Sequence, residues 1–472
     1  MTPVTIYAAP PRASRGRASA RLAAVGDWLR LHQKAVLRLQ WGVVLVYAIL
    51  LIVPAVMPLP DNAAHLWNDV SLFARFVFWG IWWPGVLISM LLFGRLWCGI
   101  FCPEGALTEM ASKRGRGRAI PRWIRWQGWP FAAFVMTTVY GQLVSVYQYP
   151  LPALLILGGS TAAAVAIGYL YGRGHRVWCR YLCPVSGVFG LLAKLAPVHY
   201  RVDHGEWDQC PPQLGRTLSV SCAPMVPLRT MESTSSCHMC GRCAGFRNAI
   251  ELAARPPGSE IVEVSGKTAN LWDTLLIVPG LMGVAVGAFH WASSPWFVAL
   301  KQKAAVWLVG NGETWPLEQS LPWWLLTNYP AHNDVLSVLD GAMLLFYIAA
   351  TAVIASVAIL LPLALAARIM GPWHPQRFHH LVHGLLPLAA CGVILGLSAQ
   401  TVTLLRTDGF RLGWANDVRM AALTLAAAWS LLLVWKIAGR YCRGPRRALA
   451  TAVSGVAIGA GLLPWVLLFW VW

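Results

Sequence analysis

Charge is scarce in this chain. Only 12% of its 472 residues are Asp, Glu, Lys or Arg, while 57% are hydrophobic. An average soluble domain carries about twice that charged fraction. The shortage excludes an ordinary soluble protein and points to a polytopic membrane protein. Acidic residues are the scarcer half, 19 against 38 Lys and Arg, and the formal net charge is +19. The cations sit mostly in short loops between apolar spans. Membrane topology explains that placement, and no nucleic-acid partner is expected. A C-x2-C-H run is missing, which removes a c-type haem attachment site. No flavin, nucleotide or substrate motif is recognisable. A cleavable signal peptide is not expected either: about 36 mostly polar residues precede the first apolar run, and that run is long enough to span.

What the chain does have is long apolar segments. They fall near 39–58, 76–94, 130–147, 152–171, 271–291, 336–365, 381–401, 418–436 and 449–471. Nine spans are expected. Seven Lys or Arg precede the first (Arg12 to Arg38), seven lie in 95–128, eleven in 172–270 and five in 436–447. The connections 59–71 and 148–151 have none, and 292–335 has two. The alternation places the N-terminus in the cytoplasm and Trp472 in the periplasm, in a bacterial inner (plasma) membrane. The loop 402–417, with Arg406 and Arg411, is the weakest point of that assignment. The stretch 21–41 is basic and roughly amphipathic, which suits an anionic leaflet.

Nine of the eleven cysteines lie between 98 and 243. On a reducing face their short spacings favour metal ligation over disulfides. Two stretches repeat: "RLWCGIFCP", with Cys98 and Cys102, and "RVWCRYLCP", with Cys179 and Cys183. The shared pattern is R-x-W-C-x3-C-P. Two expected spans separate the copies, so both end a span on the same face. A residue before Pro leaves the helical region, and Pro suits the first turn of a new helix. Cys102 and Cys183 therefore stand ahead of helix N-termini, where free N–H groups and Arg95, Arg176 and Arg180 favour a negatively charged cluster. The bland alternative is ordinary buried cysteine. The duplication with the same Arg, Trp and Pro argues for ligands.

A third motif, "SCHMCGRCAGFRN" (236–248), begins as a bacterial ferredoxin run, C-x2-C-x2-C-x3-C-P. Arg247 and Asn248 stand where its last Cys-Pro should be. Cys237, Cys240 and Cys243 suit one metal centre. Zinc takes four thiolates, but the doubled C-x2-C favours an iron–sulfur cubane with a fourth ligand from elsewhere, Cys222 or Cys210. His238 is expected to point to solvent.

The paired W-C-x3-C-P motifs, with "CAPMVPLRTMESTSSCHMCGRCAGFRNAIEL" (222–252), resemble the membrane-bound polyferredoxin family of the NosR, NapH and CcoG type. The resemblance covers about 90–270. In that pattern a Cys-Pro element precedes the next Cys by 15 positions, as Cys222 precedes Cys237. The family implies [4Fe-4S] clusters at the cytoplasmic face, coupled to quinol or to a redox partner. Its soluble domains usually hold two clusters on eight cysteines, and this one has five. The ligand count then gives one site from Cys98, Cys102, Cys179 and Cys183. Cys222, Cys237, Cys240 and Cys243 give another, so one or two 4Fe-4S clusters are expected.

The expected fold is an all-α polytopic membrane protein of about nine transmembrane helices with a small cytoplasmic ferredoxin-like iron–sulfur insertion. Its parts are a basic cytoplasmic tail (1–38), a four-helix membrane domain (39–196), the insertion (197–270) and a five-helix membrane domain (271–472). Membrane lipid and a redox protein or quinone are the expected partners. The expected function is electron transfer between a cytoplasmic-face donor or the quinone pool and a redox partner. The alternative is a copper-reducing assembly factor for a respiratory metalloenzyme, and a third reading is a scaffold with decayed cluster sites. In the last five spans Cys391 and Cys442 read as packing residues, and His374, His379, His380 and His383 as interfacial. Asp340 lies inside an expected span, where it suits either a quinone or proton site or a structural hydrogen bond.

Overall fold

The computed structural model of the protein describes residues 17–61, 64–210 and 220–472. Residues 1–16 of the expected tail and the "CPPQ" turn after Cys210 lie outside the described residues. Among the described residues, eight helices are long and apolar enough to cross a membrane: Gln33–Val56, Val70–Phe93, Pro150–Tyr171, Leu271–Ser293, Val338–Ile369, Leu386–Thr407, Ala415–Tyr441 and Pro445–Val471. They are apolar on all sides. Side chains such as Val353, Ile354 and Leu361 stay exposed, as a lipid-facing surface requires, while Ile359 and Leu363 of the same helix are buried against neighbours.

The remaining expected segment, 130–147, forms only the 15-residue helix Trp129–Leu143. That length is about 22 Å at 1.5 Å per residue, short of a hydrocarbon core of about 30 Å. The chain continues as an irregular turn through the buried Val144 and Val146, with Ser145 in the left-handed region. Protein groups satisfy its ends. Thr327 N–H donates to Leu143 O (2.8 Å), and Gln400 Nε2 donates to Tyr147 O (3.3 Å). Irregular backbone survives at such depth only when buried in protein.

Both R-x-W-C-x3-C-P motifs lie at one end of the helix bundle, together with the insertion. There strand β1 (Val198–Val202) pairs antiparallel with β2 (Ile250–Ala254), Val198 opposite Ala254 and Val202 opposite Ile250. The cysteine loop runs between them and packs Met231, Met239 and Ala244 against Tyr200, Ile250 and Leu252. The helix Arg17–Leu31 lays Ala23, Gly26 and Leu29 toward this small core. One face of the expected leaflet-binding stretch is therefore taken by protein. Its other face leaves Val25, Trp28 and Leu31 exposed.

At the opposite end, 292–335 is more than a loop. It contains the 16-residue helix Pro295–Gly310, with Trp296, Val306 and Trp307 exposed. Its Lys301 pairs with Asp340. Asp340 also accepts from Ser337 N–H (2.9 Å), and Ser337 Oγ accepts from Asp340 N–H (3.2 Å), a reciprocal cap that starts Val338–Ile369. Asp340 is thus a helix-start residue. His290 is buried between the edges of Trp465 and Trp472.

Candidate iron–sulfur site

Each repeat folds the same way. Leu96–Ile100 and Val177–Tyr181 are single helical turns. In the first, Phe101 N–H and Cys102 N–H both donate to Trp97 O (2.9 and 2.9 Å). In the second, Leu182 N–H and Cys183 N–H donate to Trp178 O (2.9 and 3.0 Å). The chain then opens. Cys102 has φ −67° and ψ 117°, and Pro103 begins the helix Pro103–Lys113. Cys102 Sγ accepts from Gly105 N–H at 3.4 Å. The sequence-level argument for Cys-Pro as a helix start therefore holds at copy one. In copy two a turn at 184–185 precedes Ser186–Ala193.

The copies are cross-tied by their arginines, both fully or nearly fully buried. Arg176 Nη1 donates to Cys98 O (2.6 Å). Arg95 Nη2 donates to Ser186 Oγ (3.0 Å), which donates to Cys179 O (2.8 Å). Ser186 and Gly105 occupy the same place in the two repeats. A Cβ at Gly105 would stand 3.0 Å from Arg176 Nη1, so glycine admits the guanidinium directly where serine relays it.

Cys98, Cys102, Cys179 and Cys183 line one cavity of about 230 Å³. Its other walls are largely apolar and come from both halves of the chain, including Trp82, Phe134 and Phe289. Glu104 reaches into it, held by Ser160 Oγ (2.6 Å) and Trp178 Nε1 (3.0 Å). Burial pushes the Cys102 thiol well up, and the neighbouring Cys179 and Cys98 add to that. Burial raises Cys179 to about 12, against the Arg176 guanidinium. Metal charge reverses this preference, because a coordinating thiol is deprotonated outright.

The loop thiols gather separately. Burial raises the Cys243 thiol, and Cys237, Cys240 and Cys222 follow as causes. Cys222 Sγ accepts from Val226 N–H and Cys237 Sγ from Met239 N–H, each at 3.4 Å. Such bonds favour the thiolate. Cys210 is half-buried at the end of the short helix His204–Gln209. Arg247 and Asn248, in the place of the ferredoxin Cys-Pro, have φ 55° and 57°. Proline, locked near −65°, cannot take that shape. Arg247 turns away and lies over Trp207, 5.0 Å from the ring centre.

The two thiol sites touch. A Cβ on Gly99 would stand 2.1 Å from His238 O and 2.9 Å from Cys240 N, so only glycine lets these backbones meet. Gln40 holds Gly99 O (2.7 Å) and Gln33 holds Cys240 O (3.0 Å). Glu109 bridges the sites: it accepts from Arg176 Nε (2.9 Å) and from Arg242 Nη2 (2.8 and 2.9 Å). Burial works against its charge, yet Arg176 and Arg242 hold its carboxyl at about 2. His238 does not face solvent. It is 1% exposed because its loop is pressed against Gly99, and burial, then the charges of Arg95, Arg176, Arg180 and Arg242, pushes its imidazole well below the usual histidine range. Glu104, Glu109, Gln33 and Gln40 are site residues that sequence reasoning missed. The C-P-E order in the first repeat was the only local signal for any of them.

Among the described residues, no three His, Cys, Asp or Glu side chains are grouped as for one metal ion. A cubane takes its ligands at four separate iron corners, so its thiols need not converge on one ion. The fold and these sites define a multi-pass membrane protein of the iron–sulfur class. Residues 76–121 and 154–202, one repeat each, match the family described as 4Fe-4S binding domain. The chain is 23% identical over 234 residues to YccM of Escherichia coli, a protein named for electron transport, covering 43% of this chain and 62% of that one. It is 28% identical over 133 residues to the regulatory protein NosR of Pseudomonas aeruginosa, covering 24% and 19%. It is 29% identical over 135 residues to the methylamine utilization ferredoxin-type protein MauN of Paracoccus denitrificans, covering 26% and 47%. The chain thus spans from 19% to 62% of the length of the curated relatives it matches. No solved structure matches it. The resemblance to the membrane-bound ferredoxin-type proteins holds, and the cofactor is the 4Fe-4S cluster.

Proposed function

We propose that the protein carries electrons through two [4Fe-4S] clusters, which would be held by thiol-bearing loops that pack against each other at Gly99. Cys98, Cys102, Cys179 and Cys183 hold one, and Cys222, Cys237, Cys240 and Cys243 hold the other. The observation that carries this reading is the direct packing of the two thiol-bearing loops. When bound, such clusters supply one-electron redox chemistry. The chain's own residues do the rest. Arg95 and Arg176 offset the negative charge, the apolar walls exclude water, and Glu109 with Arg242 fixes the spacing. The basic connections at this end support a cytoplasmic placement in a bacterial inner membrane, with Trp472 periplasmic. A membrane quinone is the small-molecule partner we favour, because the cavity beside the first four thiols is apolar and continues among the spans. A redox protein would meet the insertion.

Iron, sulfide and low-temperature EPR on anaerobically purified protein test this. About eight irons per chain are expected from two cubanes. Cys102→Ser with Cys183→Ser should remove one EPR signal and leave the other. Cys240→Ser should do the reverse. Zinc without sulfide, or no metal at all, would sink the reading. Turnover with cupric ion but not with quinol would favour a copper-reducing assembly factor instead.

A further inference from the structure

Three ionisable side chains meet outside both thiol sites. Lys194 follows the helix Ser186–Ala193, Asp273 opens the span Leu271–Ser293, and His383 ends the helix Pro375–His383. Lys194 Nζ lies 3.0 Å from His383 Nε2 and 3.3 Å from Asp273 Oδ2. His383 Nε2 lies 3.2 Å from the same Oδ2. Lys194 is 3% exposed and His383 0%. Burying such groups is costly unless they are paired and hydrogen-bonded.

The hydrogen bonds fix the tautomer. His383 Nδ1 lies 2.8 Å from His379 O. A carbonyl only accepts, so Nδ1 carries hydrogen. In neutral His383 the other nitrogen, Nε2, is then an acceptor. It can take a hydrogen from Lys194, but toward Asp273 it has nothing to donate. One proton added at Nε2 turns that contact into a charge-assisted bond to Asp273 at a distance already suitable, and gives up the hydrogen bond from Lys194, whose cation opposes the added charge. The three groups are therefore arranged to load one proton. His379, on the same helix, faces His383 directly; the neighbouring His380 in turn faces Arg440 and Tyr441 of the span Ala415–Tyr441. Glu260 lies beyond Lys194 and is ion-paired with Arg255 (2.6 Å).

The site connects in two directions. Toward the clusters, Thr234 Oγ1 is 3.0 Å from Ala193 O, one residue before Lys194, and Thr234 O accepts from Cys237 N–H (3.1 Å). Toward water, His379 is half-exposed and His374 exposed. We propose that Lys194, Asp273 and His383 form a proton-loading site, in which His383 Nε2 takes one proton from water as one electron is stored on the adjacent clusters and returns it on oxidation. The electron comes from the reduced donor, so each reduction brings in one charge of each sign and leaves the net charge of the buried region unchanged. This proposal rests on the electron-transfer reading.

An EPR-monitored redox titration of the intact, detergent-solubilised protein across about pH 5.5 to 8.5 tests it, the range in which histidine titrates. The equilibrium constant for reducing at least one cluster should fall tenfold per pH unit over part of that range, about 59 mV for one electron. His383→Gln and Asp273→Asn should flatten the slope while both signals persist. Reducible clusters with pH-independent potentials overturn the proton site alone. A slope kept in both variants overturns it too. No reducible cluster overturns the electron-transfer reading along with it. One measurement needs no variant: the reduced-minus-oxidised infrared spectrum of protein with 15N-labelled histidine should contain an isotope-sensitive imidazolium band. Its absence overturns the proposal.

Discussion

The two thiol sites are built in opposite ways. The loop site takes Cys237, Cys240 and Cys243 from seven consecutive residues and Cys222 from just upstream, inside a core of its own. The repeat site takes two thiols from each of two stretches that meet only when spans pack, and its cavity walls come from both halves of the chain. One site is local, while the other is a product of tertiary structure. The difference shows why the last five spans can lack any cysteine motif and still matter: Phe289 and Leu397 close the cavity of the repeat site.

Glu109 is where the local and the tertiary site are tied, and breaking it should have the largest effect. Its carboxylate faces Arg176, which is fully buried. Glu109→Gln leaves that charge without its partner, and breaking a buried pair from one side costs about 3–5 kcal/mol. Thermal unfolding in detergent should report a drop of that size. The effect should depend on pH. The carboxyl is held at about 2, below its ordinary 4.5, so its contribution is complete above pH 4.5 and is lost as pH falls through 2. The shift corresponds to about 3 kcal/mol at 1.36 kcal/mol per unit. Wild type and variant should therefore converge in acid, and a constant gap down to pH 2 would contradict the clamp. Acid loss of clusters is common to both and cancels in the comparison.

Gly99 sharpens the comparison differently, since it lies between the sites without supplying a thiol itself. Gly99→Ala puts a methyl group against His238 O, and overpacking of this kind costs about 1–3 kcal/mol. Iron content should stay near that of wild type. The magnetic interaction between the two reduced clusters should weaken as the loops part. Unchanged EPR line shapes with a fully reduced protein would show that the contact does not set the cluster spacing.

The duplicated R-x-W-C-x3-C-P was legible because its chemistry is local: proline and its preceding residue dictate the break and the new helix. The span pattern was legible from hydropathy alone, except at Trp129–Leu143, where a helix stops early and buried polar partners finish the crossing. What escaped the sequence is pairing across distance. Nothing near Glu109 announces Arg242, and nothing near Lys194 announces Asp273 and His383. His238 was misread because a loop histidine is ordinarily solvated, and only the approach of Gly99 buries it. Asp340 looked like an intramembrane acid because hydropathy does not show that it closes the cap on the first turn of Val338–Ile369.

The smallest expected effect concerns Arg247, where the ferredoxin pattern ends. If the loop were a two-cluster domain that had merely lost one ligand, Arg247→Cys would help to restore it. The backbone argues otherwise. Residues 247 and 248 are left-handed and feed straight into β2, with Gly245 N–H donating to Ile250 O (2.7 Å). A cysteine there would inherit the direction of Arg247, toward Trp207 and away from the thiols. Arg247→Cys should leave iron content and both EPR signals unchanged. It should cost only the cation–π contact, about 0.5–1 kcal/mol at an accessible site. Added iron in this variant would mean that the loop retains room for a second cluster, and that the two sites are less different in design than their geometry indicates.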